Sequence, residues 1–160
     1  TDSAGALLAL NSQDGDTRDQ ALEAFYQQWH AEPLVINKWL SIQAMATFAD
    51  TLEKVKVLTQ HPAYDAKNPN NVYSLIGGFG ANQAALHEDE QGAGYQFIAE
   101  QVIAIDAYNP QVAGRVLTPL TRWRQFDESR GQLMLQQLKV IAAQPELSSD
   151  VFELVQKSIQ

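Results

Sequence analysis

Residues 68–87 read NPNNVYSLIGGFGANQAALH, and residues 109–120 read NPQVAGRVLTPL. Both stretches open on Asn-Pro. An asparagine side chain can accept from the free amides of a first helical turn, and proline at the first helical position gives up only an amide that had no partner. Each stretch therefore predicts a helix start. Setting Asn68 on Asn109 also sets Leu75, Ile76 and Phe79 on Val116, Leu117 and Leu120, an offset of 41 residues. That period lies within the roughly 40–47 residues of HEAT and armadillo repeats, whose helices cannot bury their apolar faces without neighbours.

Helical periodicity extends outward from these two stretches. Leu22, Phe25, Tyr26 and Trp29 fall at i, i+3, i+4 and i+7, with Pro33 ending that helix. From about Leu34 a second stretch puts Trp39, Ile42, Met45 and Ala46 on one face. Asp50 and Glu53 form a capping-box pattern ahead of Leu52, Val55 and Leu58, and His61-Pro62 closes the helix. Three more helices are predicted over about 94–108 (Phe97, Ile98, Val102, Ile105), 128–143 (Met134, Leu138, Ile141) and 149–159 (Phe152, Val155, Ile159). Pro119 is expected to kink or end the helix that starts at Pro110. Nothing alternates with period two for long enough to argue a strand, so the expected class is all-α, with one helical domain over residues 1–160.

Bulk composition narrows the functional classes. A chain of 160 residues that is 45% hydrophobic is enough for one globular domain with a substantial core. It contains no cysteine, which excludes disulfides and thiolate metal sites and leaves nothing that points to an oxidising compartment. The net charge of −8 disfavours nucleic acid and anionic membrane as partners, because binding a polyanion rests on clustered Lys and Arg. The densest basic cluster, Arg122, Arg124 and Arg130 around Trp123, has Asp127 and Glu128 inside it and reads as a solvated helix face rather than an anion site. No apolar run approaches the roughly 18 residues of a membrane span, and no signal-peptide pattern opens the chain. The expectation is a soluble, cytoplasmic segment. Because it begins at Thr1, it is also expected to be a piece of something longer.

No catalytic constellation is legible in the sequence. Gly77, Gly78 and Gly80 have no GK[ST] behind them and follow a helix rather than a strand, so neither the phosphate loop nor the dinucleotide fingerprint fits. His87-Glu88 opens HEDEQ, but a zinc peptidase helix would read HExxH, and Gln91 stands where the second histidine is needed. His30 and His61 sit near helix ends, where a dipole or carbonyl contact is the expected role. No serine lies in a GxSxG-type elbow. The expected catalytic and metal residues are therefore none. The glycines are expected to end one helix through a left-handed residue, with Asn82 capping a short next one.

NPNNVYSLIGGFGANQAALH, GAGYQF (92–97), NPQVAGR (109–115) and WHAEPLVINKW (29–39), taken together and in that family's order, resemble the C-terminal end of the aminopeptidase N family of gluzincin zinc aminopeptidases. The likeness runs through essentially the whole chain. Asn82-Gln83 and Leu86-His87 stand where the family has Asn-Pro and Phe-His, and Tyr73 stands where relatives often carry arginine. A role that this arginine has in relatives is not carried over. The resemblance implies the C-terminal half of the family's C-terminal domain, a right-handed superhelix of antiparallel helix hairpins of armadillo/HEAT type. It implies that zinc, HExxH and the amine-binding GAMEN stretch belong to a separate catalytic domain of the same polypeptide, so the fragment itself carries no cofactor and no activity. It further implies a chamber that admits peptide substrates and excludes folded proteins. Gln111 matches the position that helps line the pocket for the substrate's first side chain, and Arg115 matches a basic position facing the same cavity.

Read without the resemblance, Gln111 and Arg115 lie four apart on one helix face and also suit a solvated amide and an arginine paired with a nearby acid. Two other functions stay open on that basis. A free-standing α-solenoid could bind a partner protein through the same helix faces. Small-ligand binding between helices has no polar constellation behind it.

Overall fold

The computed structural model describes residues 9–12 and 15–160. They divide into two compact units, Thr1–Ala85 and Leu86–Gln160. Every described element is helical.

In the first unit a 3₁₀ turn, Leu10–Ser12, precedes α1 (Asp16–Trp29), α2 (Pro33–Ala44) and α3 (Thr51–Leu58). α4 (Pro69–Val72) then runs through a π-helical turn, Tyr73–Gly77, into α5 (Gly78–Ala81), and α6 (Gln83–Leu86) follows. The predicted stripe of α1 turns inward: the Trp39 indole donates to the Leu22 carbonyl at 2.9 Å, and Tyr26 stacks on Trp39 at 5.0 Å between ring centroids. His61 packs its edge on Tyr26 and accepts from the Ala63 amide, while His30 meets the Gln27 carbonyl at 3.0 Å, the helix-end contact expected of it. Arg18 is only 1% exposed. Its guanidinium donates to the Leu10 carbonyl and the Asn11 side chain, both at 3.2 Å, and lies over the Phe48 ring. Buried in this way, it ties the 3₁₀ turn to α1.

Several local expectations are overturned. Among the described residues only Gly15 and Gly92 have positive φ, so no left-handed residue breaks the helix at Gly77, Gly78 or Gly80. The chain stays helical there because small residues are needed for packing: a Cβ on Gly78 would lie 3.2 Å from that of Ala44 on α2. Of the predicted face, Trp39 and Ala46 are buried, but Met45 falls beyond the end of α2 and is 51% exposed, and Ile36, Leu40 and Ala44 complete the buried side. The Asp50–Glu53 capping box does not form. Asp50 makes no side-chain cap bond and instead lies 3.7 Å from the Lys54 ammonium.

Asn82 does cap the next helix, and it does more. Its side-chain oxygen accepts from the Ala85 amide, and its amide nitrogen donates to the carbonyls of Ala44 at 3.0 Å and Ala46 at 2.7 Å. Thr51 donates to the same Ala46 carbonyl at 2.9 Å. One buried side chain thus serves the end of α2 and the start of α6 at once.

The second unit contains α7 (Ala93–Asp106), α8 (Pro110–Thr121), a 3₁₀ turn at Trp123–Gln125, α9 (Glu128–Ala142) and α10 (Ser149–Ile159). α7 packs on α8 and α9, and α10 packs on α8 and α9. Ile98, Val102, Ile105, Val116, Leu117, Leu120, Met134, Leu138 and Ile141 are buried as the periodicity predicts. Each such side chain stabilises by about 1.5–3 kcal/mol. In α10, however, Val151 and Val155 form the buried face, whereas Phe152 is 43% exposed. α8 continues through Pro119 to Thr121. Proline this close to the end removes one amide without stopping the helix.

An unforeseen clamp joins α7 to α10. The buried Asp106 carboxylate accepts from the Ser148 amide at 2.8 Å and the Ser148 hydroxyl at 2.5 Å, and that hydroxyl accepts from the Val151 amide.

Two contrasts test this packing by urea denaturation of the chain. Asn82→Ala removes a donor from each of two buried carbonyls, of which that of Ala46 keeps Thr51, and is expected to lower stability by about 1–3 kcal/mol; a change under about 0.5 kcal/mol would contradict the bridging role. Gly94→Ala is expected to be strongly destabilising, because the new Cβ would overlap the Leu86 carbonyl, whereas Gly77→Ala meets only the Tyr73 Cβ at 3.9 Å and is expected to be neutral or to stabilise by up to about 1 kcal/mol.

Candidate functional site on helix α8

α8 begins where Asn109 accepts from the Val112 amide at 3.2 Å with Pro110 at the first helical position, as Asn68 does for Asn70 and Asn71 with Pro69. Its apolar side, Val112, Ala113, Val116, Leu117 and Leu120, is buried. Gln111 and Arg115 are both exposed on the opposite side. At about 100° per residue they stand about 40° apart around the axis, so the helix presents them together. Thr118, one turn beyond Arg115, is exposed on the same side. It was not singled out from the sequence, although its i+7 spacing from Gln111 is the signal that would have found it.

The flank of α8 is packed against α10. A Cβ on Gly114 would lie 2.9 Å from Leu154 of α10, so the two helices approach closely there. α10 is fixed at both ends. Ser148 caps its start, and at its end Arg124, stacked 4.2 Å over the Trp123 ring, donates to the carbonyls of Ser158 at 2.7 Å, Ile159 at 2.8 Å and Gln160 at 2.5 Å. The Trp123 indole adds a bond to the Ser158 carbonyl at 3.0 Å. The basic cluster is therefore only in part a solvated helix face: Arg122 is exposed at the end of α8, whereas Trp123 and Arg124, on a 3₁₀ turn, cap the C-terminus of α10. Arg130 lies 3.4 Å from Asp127, whose carboxyl is held below its ordinary value chiefly by the Arg130 backbone amide.

His87 sits in different surroundings. It is half-buried, hydrogen-bonded to the Tyr95 hydroxyl and packed on Phe126 at 4.4 Å between ring centroids. Burial, then the nearby Arg130, lowers its pKa from the ordinary 6.5, and burial raises that of the Tyr95 phenol. The positive charge of Arg130 nearby does not suit a metal cation. Among the described residues no three His, Cys, Asp or Glu side chains are grouped to hold a metal ion.

The comparisons with known proteins agree with one another. A family model described as a domain of unknown function (DUF3458_C) with ARM repeats matches residues 1–160. The chain is 40% identical over 159 residues to aminopeptidase N of Caulobacter vibrioides and 37% identical over 160 residues to that of Escherichia coli, in each case over 99% of its own length. The chain belongs to this ARM-repeat family, the C-terminal domain of aminopeptidase N-type enzymes. Among solved structures, Legionella pneumophila aminopeptidase A in complex with aspartic acid matches 98% of it with a TM-score of 0.91 and 36% identity. The ARM-repeat chain spans only 18% of the length of each of these relatives. Among its described residues no helix is long and apolar enough to cross a membrane.

The histidine pocket sets a pH dependence for the ARM-repeat domain. A folded-state pKa below the unfolded 6.5 means that the unfolded chain binds the proton more readily, so stability is full above that value and falls as pH drops below it. Thermal melts between about pH 7.5 and 5 are expected to show this loss, and His87→Gln to flatten it; an unchanged slope in the variant would contradict the assignment.

Proposed function

We propose that this chain is a non-catalytic wall of the substrate chamber in a zinc-dependent aminopeptidase that removes N-terminal residues from peptides. The observation that carries the proposal is the likeness to aminopeptidase N across 99% of the chain, together with a capped α8 that turns Gln111 and Arg115 outward side by side. The residues act by binding and shaping. Gln111, in the first turn of α8, can cover an apolar side chain while its amide still donates and accepts, and it would border the pocket for the substrate's first side chain. Arg115 offers a planar fork of donors to peptide carbonyls or to a carboxylate.

Zinc and the groups that work with it belong, in this proposal, to a catalytic domain elsewhere on the same polypeptide, of which this chain is one helical domain. That domain and the peptide substrates are its partners. The cysteine-free sequence is in keeping with a cytoplasmic location.

The test uses the complete enzyme. Gln111→Ala and Arg115→Ala are each expected to change KM or the ranking of first-residue side chains across a panel of peptide substrates, by roughly two- to tenfold for loss of one neutral or charged hydrogen bond. Unchanged kinetics across the panel would overturn the chamber role. The chain alone, freed of contaminating peptidase, is expected to hydrolyse no aminoacyl substrate.

A further inference from the structure

The exposed side of α8 does not stop at Arg115. Gln111, Arg115, Thr118 and Arg122 fall at i, i+4, i+7 and i+11, and all four are exposed. At about 100° per residue they fit within an arc of about 60°. Two of the four are guanidinium groups, on a chain whose net charge is −8. The arginines that follow in sequence are engaged: Arg124 caps α10, and Arg130 pairs with Asp127. The Arg122 guanidinium, by contrast, meets no acceptor among the described residues. It stands at the C-terminal cap of α8, beyond the last helical residue.

Distance along the axis gives this stripe a length scale. At about 1.5 Å per residue, Arg115 lies about 6 Å and Arg122 about 16 Å from Gln111. An extended peptide advances about 3.3 Å per residue. A substrate whose first residue sits at Gln111 and whose backbone follows the stripe therefore brings the carboxylate of about its fifth residue to Arg122. Resting on the chamber reading of Gln111, we propose that Arg122 is a further specificity-determining residue that binds the C-terminal carboxylate of peptide substrates about five residues long. Thr118 offers a hydroxyl to the peptide backbone on the way. A guanidinium suits this task because its two parallel N–H groups match the two carboxylate oxygens.

The experiment measures kcat/KM of the complete enzyme on peptides of about two to eight residues that share one first residue, each prepared as the free acid and as the C-terminal amide. In the unaltered enzyme the free acid is expected to be preferred about two- to fivefold near five residues, the size of an exposed charge pair, and the preference is expected to fade with salt. R122A is expected to abolish the preference and R122K to keep part of it. The same acid-to-amide ratio in R122A and the unaltered enzyme at every length would overturn the proposal. Q111A separates the two readings. If Q111A shifts first-residue preference while R122A leaves the ratio unchanged, only the Arg122 assignment fails. If Q111A changes nothing while R122A abolishes the ratio, the carboxylate site stands and the pocket assignment fails.

Discussion

Every helix leaves four amides at its start and four carbonyls at its end without a partner, and a chain made of short helices multiplies the problem. Side chains resolve it here. Asn68, Asn109, Asp127 and Ser148 accept from first-turn amides, Arg124 and Trp123 donate to the last carbonyls of α10, and Asn82 works in both directions. With no cysteine to cross-link the chain, these terminal bonds and the buried side chains are what fix each helix in its rotation. Rotation is what matters for function. A turn of about 100° in α8 would carry Gln111 and Arg115 from the exposed side toward the core and bring buried valines out.

The second unit shows how that rotation is locked. Asp106, at the last position of α7, is poorly placed for the helix dipole, since a carboxylate there faces unpaired carbonyls. Its compensation comes from Ser148, which gives it an amide and a hydroxyl bond while capping α10. α10 is thereby held where Leu154 meets Gly114, on the flank of α8. The exposed stripe is thus set by residues that never reach it.

What could be read from sequence follows the range of the interaction concerned. Asn-Pro starts are local, since cap and amide lie two or three residues apart, and both were legible. The exposure of Gln111 and Arg115 was legible too, because the apolar periodicity of α8 leaves them no other side. The role proposed for them was not; it rests on likeness to a family. The glycines of 77–80 were misread because a small residue that ends a helix and one that lets two helices touch look alike in one dimension, and only Ala44 opposite Gly78 decides between them. Met45 and Phe152 obey the period yet stay exposed, one lying beyond its helix end and the other rotated off the buried face. The Asp106–Ser148 bond spans 42 residues and has no local signature.

In the proposed chamber role, charge is what would give the α8 stripe its selectivity. A chain of net charge −8 attracts the ammonium end of a peptide and repels its carboxylate. At physiological salt the screening length is about 8 Å, so two guanidinium groups about 10 Å apart along the helix act as separate local charges rather than as one basic patch. A carboxylate then finds a favourable place only where a guanidinium is within direct reach, and the stripe offers such places at fixed distances from Gln111. On the proposed chamber reading, an acidic background with two arginines spaced along one face would discriminate by where the substrate's charge falls along the helix, which a uniformly basic surface could not do.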